Sequence, residues 1–312
     1  MYPKDVVIKE VGPRDGLQNE QTFVPTETKI AWIHQLSDSG LQDIELTSFV
    51  HPKWIPALKD AEAVVQGIKK KEGVHYSALV PNVKGLERAL TFDVLDGVNV
   101  FMSATESHNQ KNINKSIAAT FPVMKETIME AKRAGKTVRA YVSTAFFCPH
   151  EGRTNPEKVV EISDTLLDYG ADEISIGDTI GIASPLQVRE TVTRLVERLP
   201  KEKLAMHFHD TRGMALANIV TALELGITTF DSACGGLGGC PYAAGASGNV
   251  ATEDVLYMLD QMGIQTNVSI EKVVYAAQWM EKTLNKKLSS KALDVYTRQS
   301  EKERQKEDVN GK

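Results

Sequence analysis

The chain has 312 residues, of which 42% are hydrophobic and 25% charged, a composition typical of a globular protein with one large or two small domains. A formal net charge of −5 gives no reason to expect binding to nucleic acid or to an anionic membrane surface. No apolar run approaches the roughly 20 residues of a membrane-spanning helix, and the first residues show neither a secretory nor a transit pattern.

A recurring pattern of helix, glycine and short apolar run predicts alternating helices and buried parallel strands. The strands are expected at residues 5–11, 44–46, 75–80, 98–101, 138–142, 174–176, 204–209 and 228–230. Helical spacing begins at Thr26 and returns near residues 56–71, 83–92, 113–134, 156–169, 185–198, 213–224 and 252–262. Eight strands that alternate with eight helices favour an α/β fold of the (β/α)8 TIM-barrel type over a doubly wound open sheet.

The end of the chain departs from this alternation. A further helix is expected near 269–284, and the polar segment that follows predicts a frayed or disordered tail. No linker composition divides the chain. We therefore expect a single catalytic domain over residues 1–290, including the C-terminal helical extension, and a polar tail over 291–312.

Polar residues stand at the predicted C-terminal ends of several strands, which is where active groups of such barrels lie. Strands one, two, six and seven end in Gly12-Pro13-Arg14-Asp15-Gly16, Glu45-Leu46-Thr47-Ser48, Gly177-Asp178-Thr179 and His207-Phe208-His209-Asp210. One end of the barrel is therefore expected to gather carboxylates, an arginine and two imidazoles.

Two histidines in the seventh strand have the spacing of metal ligands. His207 and His209 are two residues apart, so their side chains leave the strand on the same face. With Asp15 and the Asn249 amide they would make a mixed nitrogen and oxygen set, which suits Mg²⁺ or Mn²⁺ better than a structural zinc. The alternative is that both imidazoles only form internal hydrogen bonds.

Three charged residues at the strand ends allow two interpretations each. Arg14 could form a plain surface ion pair with Asp15, or it could stabilise a developing oxyanion. Glu45 could be a solvated charge, or it could orient Arg14. Asp178 could act in the chemistry, or it could serve the turn before the following helix.

A glycine-rich segment follows the eighth strand and carries one cysteine. It reads Gly235-Gly236-Leu237-Gly238-Gly239-Cys240-Pro241-Tyr242 and continues to Gly245-Ala246-Ser247-Gly248-Asn249. Because each glycine loses extra backbone entropy on ordering, we expect a loop here rather than a helix or strand. It is either a flexible loop with an incidental thiol or a lid that brings Cys240 to a substrate.

These motifs closely resemble the 3-hydroxy-3-methylglutaryl-CoA lyase family from about residue 5 to about residue 290. The resemblance is carried by the segments at 11–20, 47–54, 207–211, 235–243 and 245–254. The glycine-cysteine loop is specific to these lyases. The Arg-Asp and His-x-His pieces are shared with a wider group of metal-dependent barrels that includes isopropylmalate and homocitrate synthases.

The resemblance implies a role for each of the site residues. It implies a divalent cation, Mg²⁺ or Mn²⁺, held by Asp15, His207, His209 and Asn249. Arg14 would stabilise an enolate oxygen, Cys240 would donate a proton, and either His207 or Asp178 would be the initial base. Glu45 would be a catalytic residue with a supporting or proton-transfer role in the pocket, and Glu253, Gly238 and Gly239 would support the loop. Substrate contacts are expected from Arg14, Gln18, Ser48, Lys111 and Asn112.

The expected reaction is retro-aldol cleavage of 3-hydroxy-3-methylglutaryl-CoA to acetyl-CoA and acetoacetate, a step of leucine degradation and ketone-body metabolism. The expected binding partner is the acyl-CoA substrate. The chain is also expected to form a homodimer. Because three cysteines are too few for a disulfide framework, we expect reduced thiols and a cytoplasmic location. The alternatives are a lyase for a related 3-hydroxy-3-acylglutaryl-CoA, a Claisen-type synthase that joins an acyl-CoA to a keto acid, or a barrel that binds acyl-CoA without turnover.

Overall fold

The structure is a computed structural model that describes residues 2–240 and 243–310; the side chains of 240–247 and of most residues after 300 lie outside that description. In the described residues, eight parallel strands close into a barrel in chain order. They are β1 (Val7–Glu10), β2 (Asp43–Ser48), β3 (His75–Leu79), β4 (Gly97–Ser103), β5 (Thr137–Ser143), β6 (Glu173–Asp178), β7 (Leu204–Phe208) and β8 (Thr229–Ser232). Because β1 pairs with both β2 and β8, the sheet has no free edge. This confirms the predicted TIM barrel.

Helices follow the barrel strands, mostly where the periodicity predicts them, and the last two stand after the alternating part of the chain. They are α1 (Thr26–Asp38), α2 (Ala61–Gly67), α3 (Val83–Ala89), α4 (Glu106–Ile113), α5 (Ile117–Arg133), α6 (Pro156–Asp168), α7 (Pro185–Arg198), α8 (Ala215–Glu224), α9 (Thr252–Gln261), α10 (Ile270–Leu284) and α11 (Lys291–Asn310). Within the part of the chain that the structure describes, no helix is long and apolar enough to cross a membrane.

Helix α4 is absent from the sequence prediction because its residues lack an apolar repeat. It is held instead by the fully buried side chain of Asn109. The Asn109 Oδ1 atom accepts from the Ser103 amide at 3.0 Å, while Nδ2 donates to Thr120 Oγ1 at 2.8 Å and to the Lys115 carbonyl at 2.9 Å. Tertiary hydrogen bonds therefore order a segment whose own pattern is polar.

Not all of the glycines that precede strands lie just past the end of a helix, where the sequence predicts them. Gly170 follows α6 with a φ of 105°, the left-handed conformation of a residue just past a helix end. Gly97 instead begins β4, and a Cβ there would lie 2.3 Å from Thr137 Oγ1. Close packing of two strands, rather than a helix end, requires glycine at this position.

Side chains alternate between the two faces of the barrel wall, and this alternation places polar groups inside. On β6, Ile174 and Ile176 are fully buried among the outer apolar residues, whereas Ser175 lines the cavity at the barrel mouth. The period-two alternation of a strand produces this separation. The apolar core therefore lies between strands and helices, and the interior is left for the site.

The segment after α10 contains helix α11, where the sequence predicts a frayed polar tail. Its start is fixed because Asp254 accepts hydrogen bonds from Ser290 Oγ at 2.9 Å and from the Ala292 amide at 2.7 Å. Leu293 is buried at 1% exposure. The later residues are rich in lysine, glutamate, arginine and glutamine, which are good helix formers. An anchored first turn thus extends into a polar helix.

Candidate active site at the barrel mouth

A cavity of about 370 Å³ opens at the C-terminal ends of the strands. It brings together residues that are far apart in sequence. Six of the predicted site residues line it, together with one of the loop glycines: Arg14, Asp15, Gln18, Asn112, His207, His209 and Gly239. The predicted convergence of polar strand ends is therefore present in the structure.

A tight turn after β1 places Arg14 and Asp15 side by side. The amides of Arg14, Asp15 and Gly16 all hydrogen bond to the Val11 carbonyl, at 3.2, 2.7 and 3.2 Å. The turn needs glycine at Gly12, where a Cβ would lie 2.5 Å from a buried carboxylate oxygen of Glu10. The sequence Gly-Pro-Arg-Asp-Gly thus forms a compact π-helical turn whose side chains enter the cavity.

Arg14 forms a buried ion-pair cluster rather than a surface pair. Its Nε donates to Glu45 Oε2 at 2.6 Å, and its Nη1 donates to Asp15 Oδ1 at 2.5 Å. Burial alone would lower the pKa of Arg14, but the two carboxylates raise it above its ordinary value. The charge is therefore permanent. Among the described residues, Nε and Nη1 hold these two carboxylates, and Nη2 is the nitrogen that could donate to a group in the cavity.

Asp15, His207 and His209 form a group that could hold a metal ion. Their candidate ligand atoms all lie within 4.8 Å of one another, and each imidazole Nε2 is 3.9 Å from Asp15 Oδ2. Burial would raise the pKa of Asp15, but Arg14 and the imidazoles lower it to about 2. Burial lowers the pKa of His209 to about 4. An ionised carboxylate beside a neutral imidazole is a donor set that fits a divalent cation.

Asn249 lies beside this group. Its Nδ2 donates to Asp15 Oδ2 at 2.8 Å and to the Leu237 carbonyl at 3.1 Å. In this orientation the residue holds Asp15 in place, and only its Oδ1 atom would be available as a fourth ligand. Asn249 therefore lies next to the cluster, and its role as a metal ligand stays a prediction.

The glycine-rich segment is more regular than the sequence predicts. Gly239–Cys240 and Ala243–Ser247 form a short antiparallel ladder, so the expectation of neither helix nor strand is wrong for these residues. Just before the ladder, the backbone of Gly238 (φ 134°) packs closely against Asn249, because a Cβ there would lie 2.8 Å from Asn249 Nδ2. Cys240 follows the cavity-lining Gly239, and its side chain lies outside the described residues.

Two buried carboxylates brace the base of this segment. Both oxygens of Glu253 accept from the Gly235 amide at 3.0 Å, a contact compatible with the support role expected of Glu253. Glu10 Oε1 accepts from the amides of Gly12 and Cys234 at 2.8 and 2.9 Å, which ties the two turns together. Burial raises the pKa of Glu10 to about 7 and that of Glu253 to about 8.

Asp178 serves the turn after β6, as one of its two interpretations predicts. Its Oδ1 accepts from the Ile182 amide at 3.1 Å, and its Oδ2 accepts from the Ala183 amide at 3.0 Å. Burial raises its pKa to about 6. It is not among the residues that line the cavity, although its neighbours Gly177 and Thr179 are.

The predicted substrate contacts divide into two groups. Gln18 and Asn112 line the cavity, and Gln18 Nε2 donates to Asp15 Oδ1 at 2.7 Å. Ser48 is buried, does not line the cavity, and accepts from the Val50 amide at 3.2 Å. Lys111 is exposed, outside the lining, with Nζ 3.4 Å from His150 Nδ1.

The polar layer inside the barrel is absent from the sequence prediction. Tyr141 donates to Glu45 Oε2 at 3.1 Å, and Asn99 donates to Glu45 Oε1 at 2.8 Å. Arg139 binds Asp231, which in turn bonds to His207. The sequence signal that could predict this layer is a polar residue at alternate positions of a strand whose other residues are apolar. Such positions face the inside of a barrel.

A family profile described as HMGL-like matches residues 5–280. The chain belongs to the HMGL-like family. This confirms the resemblance seen in the motifs. The hydroxymethylglutaryl-CoA lyase YngG of Bacillus subtilis is 56% identical over 295 residues, which cover 95% of this chain and 98% of that protein.

Solved HMG-CoA lyase structures share the fold of this HMGL-like chain. The crystal structure of the Bacillus subtilis HMG-CoA lyase matches with a TM-score of 0.93 and 55% identity, covering 95% of this chain and 99% of that one. An Acinetobacter baumannii HMG-CoA lyase, in complex with coenzyme A and 3-methylmalate, matches with a TM-score of 0.88 and 38% identity. That match covers 92% of this chain and 94% of the other.

Proposed function

We propose that this HMGL-like chain is a carbon–carbon lyase that cleaves 3-hydroxy-3-methylglutaryl-CoA to acetyl-CoA and acetoacetate, as in leucine degradation and ketone-body metabolism. The observation that carries the proposal is the meeting of Arg14, Asp15 and His207 at one cavity, in a chain 56% identical to a lyase of that name. Coenzyme A in the Acinetobacter baumannii relative supports an acyl-CoA substrate.

Asp15, His207 and His209, with Asn249 as a fourth ligand, would hold the cation, for which we propose Mg²⁺ or Mn²⁺. When bound, the ion would polarise the C3 hydroxyl of the substrate and favour its ionised form. The anionic Asp15 and the low pKa of His209 suit this task, because both groups are already in the protonation state that binds a metal.

Arg14 provides the positive charge for the second half of the reaction. Loss of the C3 hydroxyl proton and cleavage of the C2–C3 bond release acetoacetate and leave an enolate on the thioester fragment. A fixed guanidinium beside that oxygen offsets the developing charge. Glu45 and Asp15 keep Arg14 in position through its Nε and Nη1 atoms.

The initial base is either His207 or Asp178. His207 has Nδ1 bonded to Asp231, and its Nε2 is directed toward the metal cluster, so both ring nitrogens are engaged when the ion is bound. Each Asp178 oxygen accepts one amide hydrogen bond and retains a second lone pair. Asp178 thus keeps lone pairs for a proton, whereas His207 is the one of the two that lines the cavity.

Cys240 completes the reaction by donating a proton to the enolate carbon. This role is supported by its neighbour Gly239, which belongs to the same ladder and lines the cavity. Closure of this segment over the mouth would exclude water, which would otherwise protonate the enolate without control. Glu253 holds the base of the segment through the Gly235 amide.

The apolar wall of the cavity is the part best suited to the acyl-CoA arm. Val50, Trp54 and Phe101 line it. Trp54 is 69% exposed, so an apolar ligand at the mouth would cover it. Asn112 lines the same cavity and is the better candidate for a polar contact, while Lys111 lies outside the lining and would reach the carrier only beyond the mouth.

The family resemblance also supports a homodimer, and the state of the described cysteines supports a cytoplasmic location. Cys148 and Cys234 are both buried and free, as expected in a reducing compartment.

The products test the proposal. Purified protein supplied with 3-hydroxy-3-methylglutaryl-CoA and Mg²⁺ or Mn²⁺ should release acetoacetate and acetyl-CoA in equal amounts, measured by a coupled reduction of acetoacetate and by mass spectrometry. Release of free CoA from acetyl-CoA and a keto acid, without cleavage of the lyase substrate, would instead identify a synthase. Binding of the thioester without turnover would identify an inactive barrel.

A further inference from the structure

Asp231, on β8, is a fully buried carboxylate that contacts a candidate metal ligand without belonging to the metal group. Its Oδ2 lies 3.0 Å from His207 Nδ1 and accepts from Ser175 Oγ at 3.0 Å. Arg139 donates to both carboxylate oxygens, at 2.6 Å to Oδ1 and 3.1 Å to Oδ2. The carboxylate therefore has neighbours on both oxygens and little freedom to rotate.

Arg139 is itself fixed from the opposite side. Its Nε donates to Glu173 at 2.5 Å, and its Nη1 donates to the Tyr141 hydroxyl at 3.0 Å. Because an arginine keeps its charge, its bidentate partner Asp231 is ionised and can only accept hydrogen bonds. The hydrogen in the pair with His207 must then reside on the histidine Nδ1.

This assignment determines what the other ring nitrogen can do. With Nδ1 protonated in a neutral imidazole, Nε2 carries a free lone pair, and it is Nε2 that lies 3.9 Å from Asp15 Oδ2. His209 differs, since its Nδ1 is buried with no hydrogen-bond partner among the described residues. Among the described residues, a hydrogen bond at Nδ1 therefore fixes the ring of His207 but not that of His209.

We propose that Asp231 is a positioning residue that locks His207 in the Nδ1–H tautomer and so presents Nε2 to a divalent cation. Arg139 and Ser175 keep the carboxylate in place. A carboxylate behind a metal-bound histidine fixes the ring and strengthens it as a ligand. The inference rests on the proposed metal site, but it does not depend on which thioester is the substrate.

The tautomer is measured on metal-free protein. Long-range proton–nitrogen spectra of protein labelled with ¹⁵N-histidine should show His207, assigned with a His207→Gln variant, as the Nδ1–H form. In Asp231→Ala the same ring should change to a mixture or to the Nε2–H form, because its acceptor is gone. A wild-type His207 in the Nε2–H form would overturn the proposal even if the alanine variant does not fold.

Metal affinity gives the second readout. Titration with Mn²⁺ followed by electron paramagnetic resonance should show binding weakened by about 10- to 100-fold in Asp231→Ala. Asp231→Asn retains one accepting oxygen and should recover part of the loss. Glu173→Gln is the matched control, because it alters the other carboxylate partner of Arg139 without touching His207, and its Mn²⁺ affinity should equal that of the wild type.

The outcomes distinguish a failure of the proposed metal site from a failure of the positioning role of Asp231. If wild-type protein binds no Mn²⁺, the proposed metal site fails. If the wild type binds Mn²⁺ and Asp231→Ala binds it equally well with an unchanged tautomer, Asp231 is only a structural partner of Arg139 and the inference is overturned. Equal losses in Asp231→Ala and Glu173→Gln would also contradict it, since they would show a general effect of the Arg139 network.

Discussion

Replacing Arg14 with methionine should lower the kcat for thioester cleavage by about 10³-fold, at the upper end of what loss of one oxyanion-stabilising donor costs. Methionine keeps much of the side-chain volume but removes the charge and all donors. Because the guanidinium acts mainly on the enolate that forms late, KM should change much less than kcat. Steady-state kinetics at saturating Mg²⁺ measure both constants.

The same substitution leaves Glu45 buried without its cationic partner, which threatens folding. Circular dichroism and Mn²⁺ affinity therefore accompany the kinetics, and both should show a folded protein that still binds metal. Arg14→Lys keeps the charge, but it cannot serve Glu45, Asp15 and the enolate with the same geometry. Its kcat should lie between those of wild type and Arg14→Met. A methionine variant that retains a tenth or more of wild-type kcat would exclude Arg14 from the role proposed here.

Replacing Cys240 with alanine should lower kcat by about 10²- to 10⁴-fold, the range that a positioned proton donor contributes. Metal affinity should be unchanged, because the thiol is not among the proposed ligands. An enolate that the enzyme does not protonate would either add back to acetoacetate and regenerate the substrate or take its proton slowly from water. Rapid-quench analysis should therefore show slow release of acetyl-CoA.

The matched control is Cys148→Ala, which removes a different thiol. Cys148 is buried and does not line the cavity, so its loss should leave kcat close to that of the wild type. A Cys240→Ala variant with wild-type turnover would remove the thiol from the mechanism. It would also remove the feature by which we distinguish this lyase from its synthase relatives.

The sequence predicts the barrel well because the relevant signals are local. A glycine after a helix and a short apolar run are read within a few residues, and α7 begins and ends where its pattern predicts, at Pro185–Arg198. The metal group was equally accessible. His207 and His209 stand two apart in one strand, and Asp15 ends another strand, so the closed barrel has only to bring them to the same mouth.

The interior network could not be predicted because its members are far apart in sequence. Arg139 and Asp231 are separated by 92 positions, and Tyr141 and Glu45 by 96. Nothing in the local sequence says which polar residue on one strand faces which on another until the register of the barrel is fixed. Apolar residues dominate the local pattern of each strand, and this pattern conceals the polar positions that face the barrel interior.

Asp178 illustrates a different limit. Its residue type and place fit both a base and a turn, and the sequence cannot rank them. The structure shows that the backbone amides of Ile182 and Ala183 donate hydrogen bonds to the Asp178 carboxylate. Any catalytic role of Asp178 must be compatible with these two hydrogen bonds.

Turnover of metal-depleted protein is the most direct test of the central claim, that this cavity cleaves 3-hydroxy-3-methylglutaryl-CoA with a cation held by Asp15, His207 and His209. After chelation, with the loss of metal verified by elemental analysis, acetoacetate formation should fall to background. Addition of Mg²⁺ or Mn²⁺ should restore it, and Asp15→Asn should prevent the recovery. Undiminished cleavage by protein shown to be free of divalent metal would contradict the account.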